Sequence, residues 1–253
     1  MTPKTSEELK LMAEGGRRLA IVLGKLRAAV KPGVRTIELD HLAYDLITKE
    51  GDKPAFLGYK PNGAGKAYPA TLCASVNSGI VHGLPSNDVL KDGDLLKLDL
   101  GLIHETFYLD SAISVGVGKI SDEAAKLIMV TEKALALGIA AAKAGHTLGD
   151  IGHAVQSYVE RHGFSVIRSL TGHGIGKKLH EDPHVYNFGK PGEGEALVPG
   201  MTIAIEPMVA AGDYRLKQLR DDSFVTKDGS LGAHFEHTIV ITDKGARILT
   251  VVQ

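Results

Sequence analysis

Four carboxylates and one imidazole, each set among apolar or glycine residues, are the groups of this chain that could do chemistry: Asp99, Asp110, Glu206 and Glu236, with His173. Asp99 lies in Leu95-Leu96-Lys97-Leu98-Asp99-Leu100 and Glu206 in Ile203-Ala204-Ile205-Glu206-Pro207-Met208, and both segments read as buried strands. Asp110 and Glu236 each open an otherwise apolar strand, running to Val115 and to Ile241. A buried carboxylate without a partner is costly, and four that converge also repel one another. Basic residues are too few to neutralise them: Lys97 alone shares the first strand, and neither Lys nor Arg occurs from Ile203 to Val209 or from Gly232 to Thr242. Divalent cations are the remaining solution. An oxygen-rich set with one imidazole favours Mn, Co, Fe or Zn over a thiolate-type zinc site, and shared carboxylates can bridge two ions about 3.5–4 Å apart.

His173 is the expected imidazole, in Thr171-Gly172-His173-Gly174-Ile175-Gly176, a catalytic loop following a strand from Phe164 to Leu170. Its flanking glycines permit a sharp turn and a close approach to a ligand. Of the 11 histidines, the eight other than His82, His173 and His180 read as solvated or locally hydrogen bonded, His41, His153 and His162 among them. His180-Glu181-Asp182-Pro183-His184 spells the zinc-protease pattern H-E-x-x-H, which works only when a helix sets both histidines on one face. Pro183 would remove a helix hydrogen bond and push Asp182 out of helical geometry, so that reading is rejected.

The elements that must position these residues come in two similar sets. His82-Gly83-Leu84-Pro85 is followed by Gly93 and, six residues on, Asp99; His180-Glu181-Asp182-Pro183 is followed by Gly200 and, six on, Glu206. Upstream, apolar residues at helical spacing from Thr5 to Lys31 follow a capping box of Thr5 and Glu8, and Pro32-Gly33 stops that helix. Thr36 opens a second helix that Gly51 closes. The other half repeats the order with a helix over about 122–143, a stop at Gly145, a capping box of Thr147 and Asp150, and a stop at Gly163. The halves, about 5–118 and 121–245, form a single domain over 1–253 with its site on a pseudo-two-fold axis.

With 29 basic and 30 acidic residues the formal charge is −1, which provides no field to draw nucleic acid or an anionic membrane surface. The polar start of the chain lacks a secretory signal, and no apolar stretch approaches the ~20 residues that span a bilayer. The single cysteine, Cys73, forbids an internal disulfide and suits a reducing cytosol. Tyr59 to Ala70, rich in Gly, Pro and Lys, reads as a surface loop.

Together, Ser75-Val76-Asn77 through His82-Gly83-Leu84-Pro85, Asp99, Asp110, Gly172-His173-Gly174-Ile175-Gly176, His180-Glu181, Ile205-Glu206-Pro207-Met208 and Glu236-His237-Thr238 strongly resemble the type I methionine aminopeptidases. The likeness spans essentially the whole chain, with a spacing of eleven between the aspartates and seven between His173 and His180. It implies an α+β architecture, the duplicated pita-bread fold: a curved antiparallel sheet backed by helices, with a dinuclear metal centre on its concave side. It further implies Asp110 and Glu236 as bridging ligands, Asp99 as a ligand of one ion, and His173 with Glu206 on the other, with two divalent ions as cofactors. By the same resemblance a water activated by the ions is the nucleophile, and Glu206 handles the proton. His180 stabilises the tetrahedral oxyanion and His82 contacts the substrate backbone near the scissile amide. For both histidines a hydrogen bond that merely pins a loop is the alternative.

The resemblance places Tyr59, Tyr68, Phe56 and Cys73 at or near the family's methionine pocket, although Cys73 serves equally well as a small buried apolar filler. Two departures stand out. Leu179 occupies the place of a common phenylalanine, and a tryptophan often found before the final strands is replaced by Asp222 or Ser223 in a chain without Trp. The Tyr59–Tyr68 loop is also longer than usual. The implied activity is removal of the initiator methionine from peptides and nascent chains whose second residue is small, by a cytoplasmic, monomeric enzyme of bacterial type that meets the ribosome. An X-Pro aminopeptidase or prolidase uses the same fold and ligands, but those relatives carry an additional N-terminal domain for which the helix beginning by Thr5 leaves no room. A partner-binding protein of this fold that has lost its ligands is the third reading, and all five ligands are present here.

Overall fold

The computed structural model describes residues 2–60 and 66–252. The lengthened loop expected between Tyr59 and Tyr68 therefore falls in part on residues 61–65, outside the described residues. In the first half, helices α1 (Ser6–Ala29) and α2 (Thr36–Lys49) precede strands β1 (Lys53–Pro54), β2 (Leu72–Val76), β3 (Gly79–Val81), β4 (Leu95–His104) and β5 (Phe107–Gly116). The second half follows with α3 (Asp122–Ala141), α4 (Leu148–Arg161), β6 (Ser165–Val166), β7 (Gly172–Gly174), β8 (Glu181–Val185), β9 (Thr202–Ile205) and β10 (Met208–Ala210). It ends with β11 (Leu216–Gln218), β12 (Phe224–Thr226), β13 (Gly232–His234), β14 (His237–Thr242) and β15 (Gly245–Ile248).

The helices start where their capping chemistry sets them. The Glu8 amide donates to Thr5 Oγ1 at 3.3 Å while the Thr5 amide donates to Glu8 Oε2 at 2.9 Å, and Thr147 with Asp150 repeats the reciprocal pair before α4. Gly51 and Gly163 end the second helix of each half at φ of 82° and 84°, the left-handed conformation that glycine adopts without strain. The buried stripe of α1, with Met12, Leu19, Leu23 and Leu26, packs with Leu98, Leu100 and Leu109 of the first sheet. The corresponding stripes of α3 and α4, carrying Leu127, Ala134 and Val155, close over Val166, Val209 and Ala233.

One sheet runs β1-β4-β2 with β5 on the other edge of β4, and a second runs β15-β14-β9-β7-β8, all antiparallel. The halves meet where β5 passes the start of β14. The Glu236 amide donates to the Ala112 carbonyl at 2.9 Å, the Ala112 amide returns a 3.4 Å bond to Glu236 O, and Ser111 Oγ donates to the same carbonyl at 2.7 Å. Thr238 Oγ1 donates to Asp110 O at 2.8 Å and accepts from the Asp110 amide at 3.1 Å.

Several local expectations change. The strand expected over 164–170 shrinks to Ser165–Val166, and the glycine-flanked histidine lies on strand β7, inside the second sheet, instead of on a loop. Glycine is needed there for proximity: a Cβ on Gly172 would stand 2.3 Å from the Ala204 carbonyl oxygen of the neighbouring strand. Asp110 is the fourth residue of its strand, not the first, and Glu236 just precedes β14. The apolar segment around Glu206 is two strands broken at Glu206-Pro207, because proline has no amide to offer a ladder. Residues 181–185 form a strand, as the rejection of a helical H-E-x-x-H site requires.

Candidate metal centre

The β4–β5 hairpin sets the first two acids on one face. Asp99 pairs with Ala112 and Gly101 with Asp110, so the acids are diagonal neighbours and each faces a small residue that leaves room beside it. In the second half Ile205 pairs with His237 and Met208 with His234. Glu206 and Glu236 occupy the break between these paired stretches, opposite one another, where the ladder gives way. His173 enters from β7 beside Ala204.

Asp110, His173 and Glu236 each bring one ligand atom into a group whose members lie within 4.8 Å of one another, all three buried. Glu206 Oε1 stands 3.6 Å from His173 Nε2. His173 Nδ1 is 2.9 Å from Gly174 O and donates to it, which leaves the Nε2 lone pair facing the carboxylates. Asp99 Oδ1, Asp110 Oδ1 and Glu236 Oε1 are buried with no hydrogen-bond partner among the described residues. Lys97, the one cation on these strands, turns its Nζ to the carbonyls of Asn77 at 2.7 Å and Leu95 at 3.2 Å, so it neutralises none of them.

Burial lifts Asp99 to about 7, with Glu206 raising it and His234 opposing, and burial lifts Glu206 to about 8. Asp110 and Glu236 are pushed well above the usual carboxylate range by burial and then by the neighbouring acids. Burial also lowers His173 to about 3 and His180 to about 4, so both rings are neutral near pH 7. Neutral imidazole and crowded carboxylates are the donor set that hard or borderline dications take, and the unpartnered oxygens fit such ions.

His180 sits beside His173, ring centroids 4.4 Å apart, and its Nδ1 lies 2.6 Å from the Tyr59 hydroxyl. His173 and His180 line a cleft of about 470 Å³ with Thr171, Lys178 and Glu181. His82 holds a positive φ of 59° and packs edge-on against Phe224, centroids 5.7 Å apart. Phe224 thus puts an aromatic ring one residue beyond the stretch where the family's tryptophan is lacking. Phe56, Cys73 and Leu179 form one apolar cluster with Ala55 and Ile175, against which Tyr59 and Tyr68 pack. Cys73 pairs with Asp99 across β2 and β4, so the apolar cluster adjoins the carboxylates, and burial pushes its thiol well up.

His234 breaks the expectation that the remaining histidines are solvated or locally bonded. It is 1% exposed, Nε2 lies 3.6 Å from Glu206 Oε2, and neither ring nitrogen has a hydrogen-bond partner. Only its place two residues before Glu236, on the same face of an extended segment, marks it in the sequence. Asn187 is likewise unmarked, yet its Nδ2 donates to Glu206 O at 2.9 Å and holds the break in place.

The model of metallopeptidase family M24 matches residues 10–243. A methionine aminopeptidase of Clostridium perfringens is 46% identical over 251 residues, covering 99% of this chain and 98% of that protein. The crystal structure of a methionine aminopeptidase from Thermotoga maritima superposes with a TM-score of 0.95 at 42% identity, covering 99% of both chains. A prolidase from Pyrococcus furiosus shares the fold with a TM-score of 0.77, but at 22% identity and over 66% of its own length. With sequence and fold agreeing along the full chain, it belongs to metallopeptidase family M24 and, within that family, to the methionine aminopeptidases.

Proposed function

We propose that the chain removes the N-terminal methionine from peptides and nascent chains whose second residue is small, using two divalent ions held by Asp99, Asp110, His173, Glu206 and Glu236. The observation that carries this reading is the convergence of buried, unpartnered carboxylate oxygens with a neutral imidazole beside an apolar cluster. In this assignment Asp110 and Glu236 would be shared between the ions, Asp99 would serve one, and His173 with Glu206 would serve the other. Co, Mn, Fe and Zn all suit this donor set. The ions supply polarisation of the scissile carbonyl and a lowered pKa for water. The chain's own residues do the rest. Glu206, ionised beside the dications, would take a proton from the attacking water and pass it to the leaving amine. His180 Nδ1 lies 2.6 Å from the Tyr59 hydroxyl; with that hydroxyl donating, His180 would carry its proton on Nε2 and donate to the oxygen that becomes negative. His82, across the site against Phe224, contacts the substrate backbone near the amide that breaks.

The methionine side chain fits the apolar cluster of Phe56, Cys73 and Leu179 with Tyr59 and Tyr68 at its edge. A flexible thioether packs well against such aromatic and sulfur surfaces. The site draws ligands from both halves, which favours residues 1–253 acting as one catalytic domain. Among the described residues no helix is long and apolar enough to cross a membrane, and the one cysteine is free. A lone cysteine suits a reducing cytoplasm, and the working form in this reading is a monomer that acts on chains leaving the ribosome. The test is hydrolysis of Met-Ala-Ser against Leu-Ala-Ser across Mn, Fe, Co and Zn, with EDTA as control. Cleavage of the first alone, abolished by EDTA, is expected, and equal turnover of both peptides overturns the specificity. A Met-Pro peptide set against an Ala-Pro peptide separates this activity from that of an X-Pro peptidase.

A further inference from the structure

Six buried side-chain atoms lack a hydrogen-bond partner among the described residues, and they are not scattered. Three are oxygens of Asp99, Asp110 and Glu236, two are the nitrogens of His234, and the last is Asn187 Oδ1, on the residue that donates to Glu206 O. The mark that singles out the carboxylates as ligands therefore singles out His234 as well. Its backbone is clamped, since the His234 amide donates to Ser114 Oγ at 2.9 Å and Ser114 Oγ donates to His234 O at 2.8 Å. The ring follows from that clamp and projects from the same face as Glu236, two residues on.

Glu206 stands between two imidazoles, with Oε1 3.6 Å from His173 Nε2 and Oε2 3.6 Å from His234 Nε2. That separation is too long for a hydrogen bond. It is close to the spacing of two donors on one cation, since atoms each about 2.1 Å from an ion stand roughly 3–3.5 Å from one another. We propose that His234 is a metal-ligating imidazole of this centre, placed on the Glu206 Oε2 side. The centre then has six protein ligands and two imidazoles, His173 and His234, one at each oxygen of Glu206. Ions that accept nitrogen readily, such as Co, Fe and Zn, gain from the second imidazole over Mn.

This inference rests on the proposed dinuclear reading and can be separated from it. X-ray absorption on the Co(II)-reconstituted chain counts imidazoles by their multiple scattering, and calorimetry counts the ions bound. Two imidazoles per centre are expected in the wild type, falling to one in His234→Gln. One imidazole per centre in the wild type overturns the proposal whatever the variant does. Weaker metal binding by His234→Gln would not suffice alone, because losing an outer hydrogen bond costs roughly 10–100-fold in affinity as well. If calorimetry finds a single ion, the dinuclear reading fails while the imidazole count still decides the role of His234: two on that ion sustain it, one removes it.

Discussion

Ala112 and Glu236 exchange backbone hydrogen bonds across the seam between the halves, at 3.4 and 2.9 Å, and this exchange sets Asp110 and Glu236 beside one another. Thr238 completes the join, its hydroxyl bonded to both the amide and the carbonyl of Asp110. Thr238→Val removes two buried hydrogen bonds while keeping shape, and is expected to cost about 1–3 kcal/mol of stability. Because Asp110 then loses its anchor, metal affinity is expected to fall roughly tenfold. Denaturant titration paired with calorimetry checks both, and unchanged metal binding would show that the seam does not position the ligand.

On the proposed assignment, replacing either Asp110 or Glu236 would remove a donor from both ions at once. Asp110→Asn and Glu236→Gln are each expected to lower kcat/KM by roughly a thousandfold or more, about 4 kcal/mol of transition-state stabilisation. Bound metal should fall by more than one equivalent in each variant. A variant that keeps two tightly bound ions and near-normal turnover would contradict the bridging assignment.

The raised carboxylates give metal-free protein a characteristic pH response. Asp99 rises from 3.8 to about 7 and Glu206 from 4.5 to about 8, so both acids still hold protons when folded at a pH where the unfolded chain has lost them. The stability this confers is complete below the unfolded values and disappears as pH climbs through the folded ones. The buried histidines act in the opposite sense only below about 6.5. Between pH 6.5 and 8 the EDTA-treated chain should therefore lose melting temperature while the cobalt-loaded chain holds, and the gap should widen. A constant gap across that window would remove this account.

The Tyr59 hydroxyl and His180 Nδ1 stand 2.6 Å apart. A tyrosine hydroxyl that donates to Nδ1 forces the proton onto Nε2, the nitrogen available to the substrate. Tyr59→Phe frees the ring to adopt the other tautomer, and the expected result is a fall in kcat of roughly tenfold or more, with a smaller change in KM. A change confined to KM would place Tyr59 in the methionine pocket alone.

Leu179 is 2% exposed within the cluster beside the metal ligands. Leu179→Ala enlarges the pocket and is expected to shift discrimination among Met, norleucine and Leu peptides by about 1–3 kcal/mol, with kcat for Met-Ala-Ser less affected. Competition assays with the three peptides test this directly, and an unchanged preference would exclude Leu179 from the pocket wall.

The helices and the acids were legible in the chain because their signals are local. Thr5 with Glu8 and Thr147 with Asp150 mark helix starts within four residues, and a charged residue inside an apolar strand is conspicuous wherever it falls. His234 was not legible. A histidine near a strand end carries no mark of its burial, which arises from Ser114 and Glu206, both distant in sequence. The placement of His173 on a strand was also hidden, because Gly172 is demanded by the Ala204 carbonyl across the sheet and not by a turn. Glu206 was legible as an acid, and Pro207 beside it marks the break, but the matching gap at Phe235-Glu236 that faces it across the sheet was not.

The join between Asp110 and Thr238 spans 128 residues of chain. Such distant pairing forms late, after loop closure has been overcome. A growing polypeptide that ends before Thr238 carries every proposed ligand yet lacks the hydroxyl that docks Asp110 against the second half, so chelation becomes an intrinsic report of completed synthesis, and loss of cobalt affinity offers a readout for truncated or mis-docked chains.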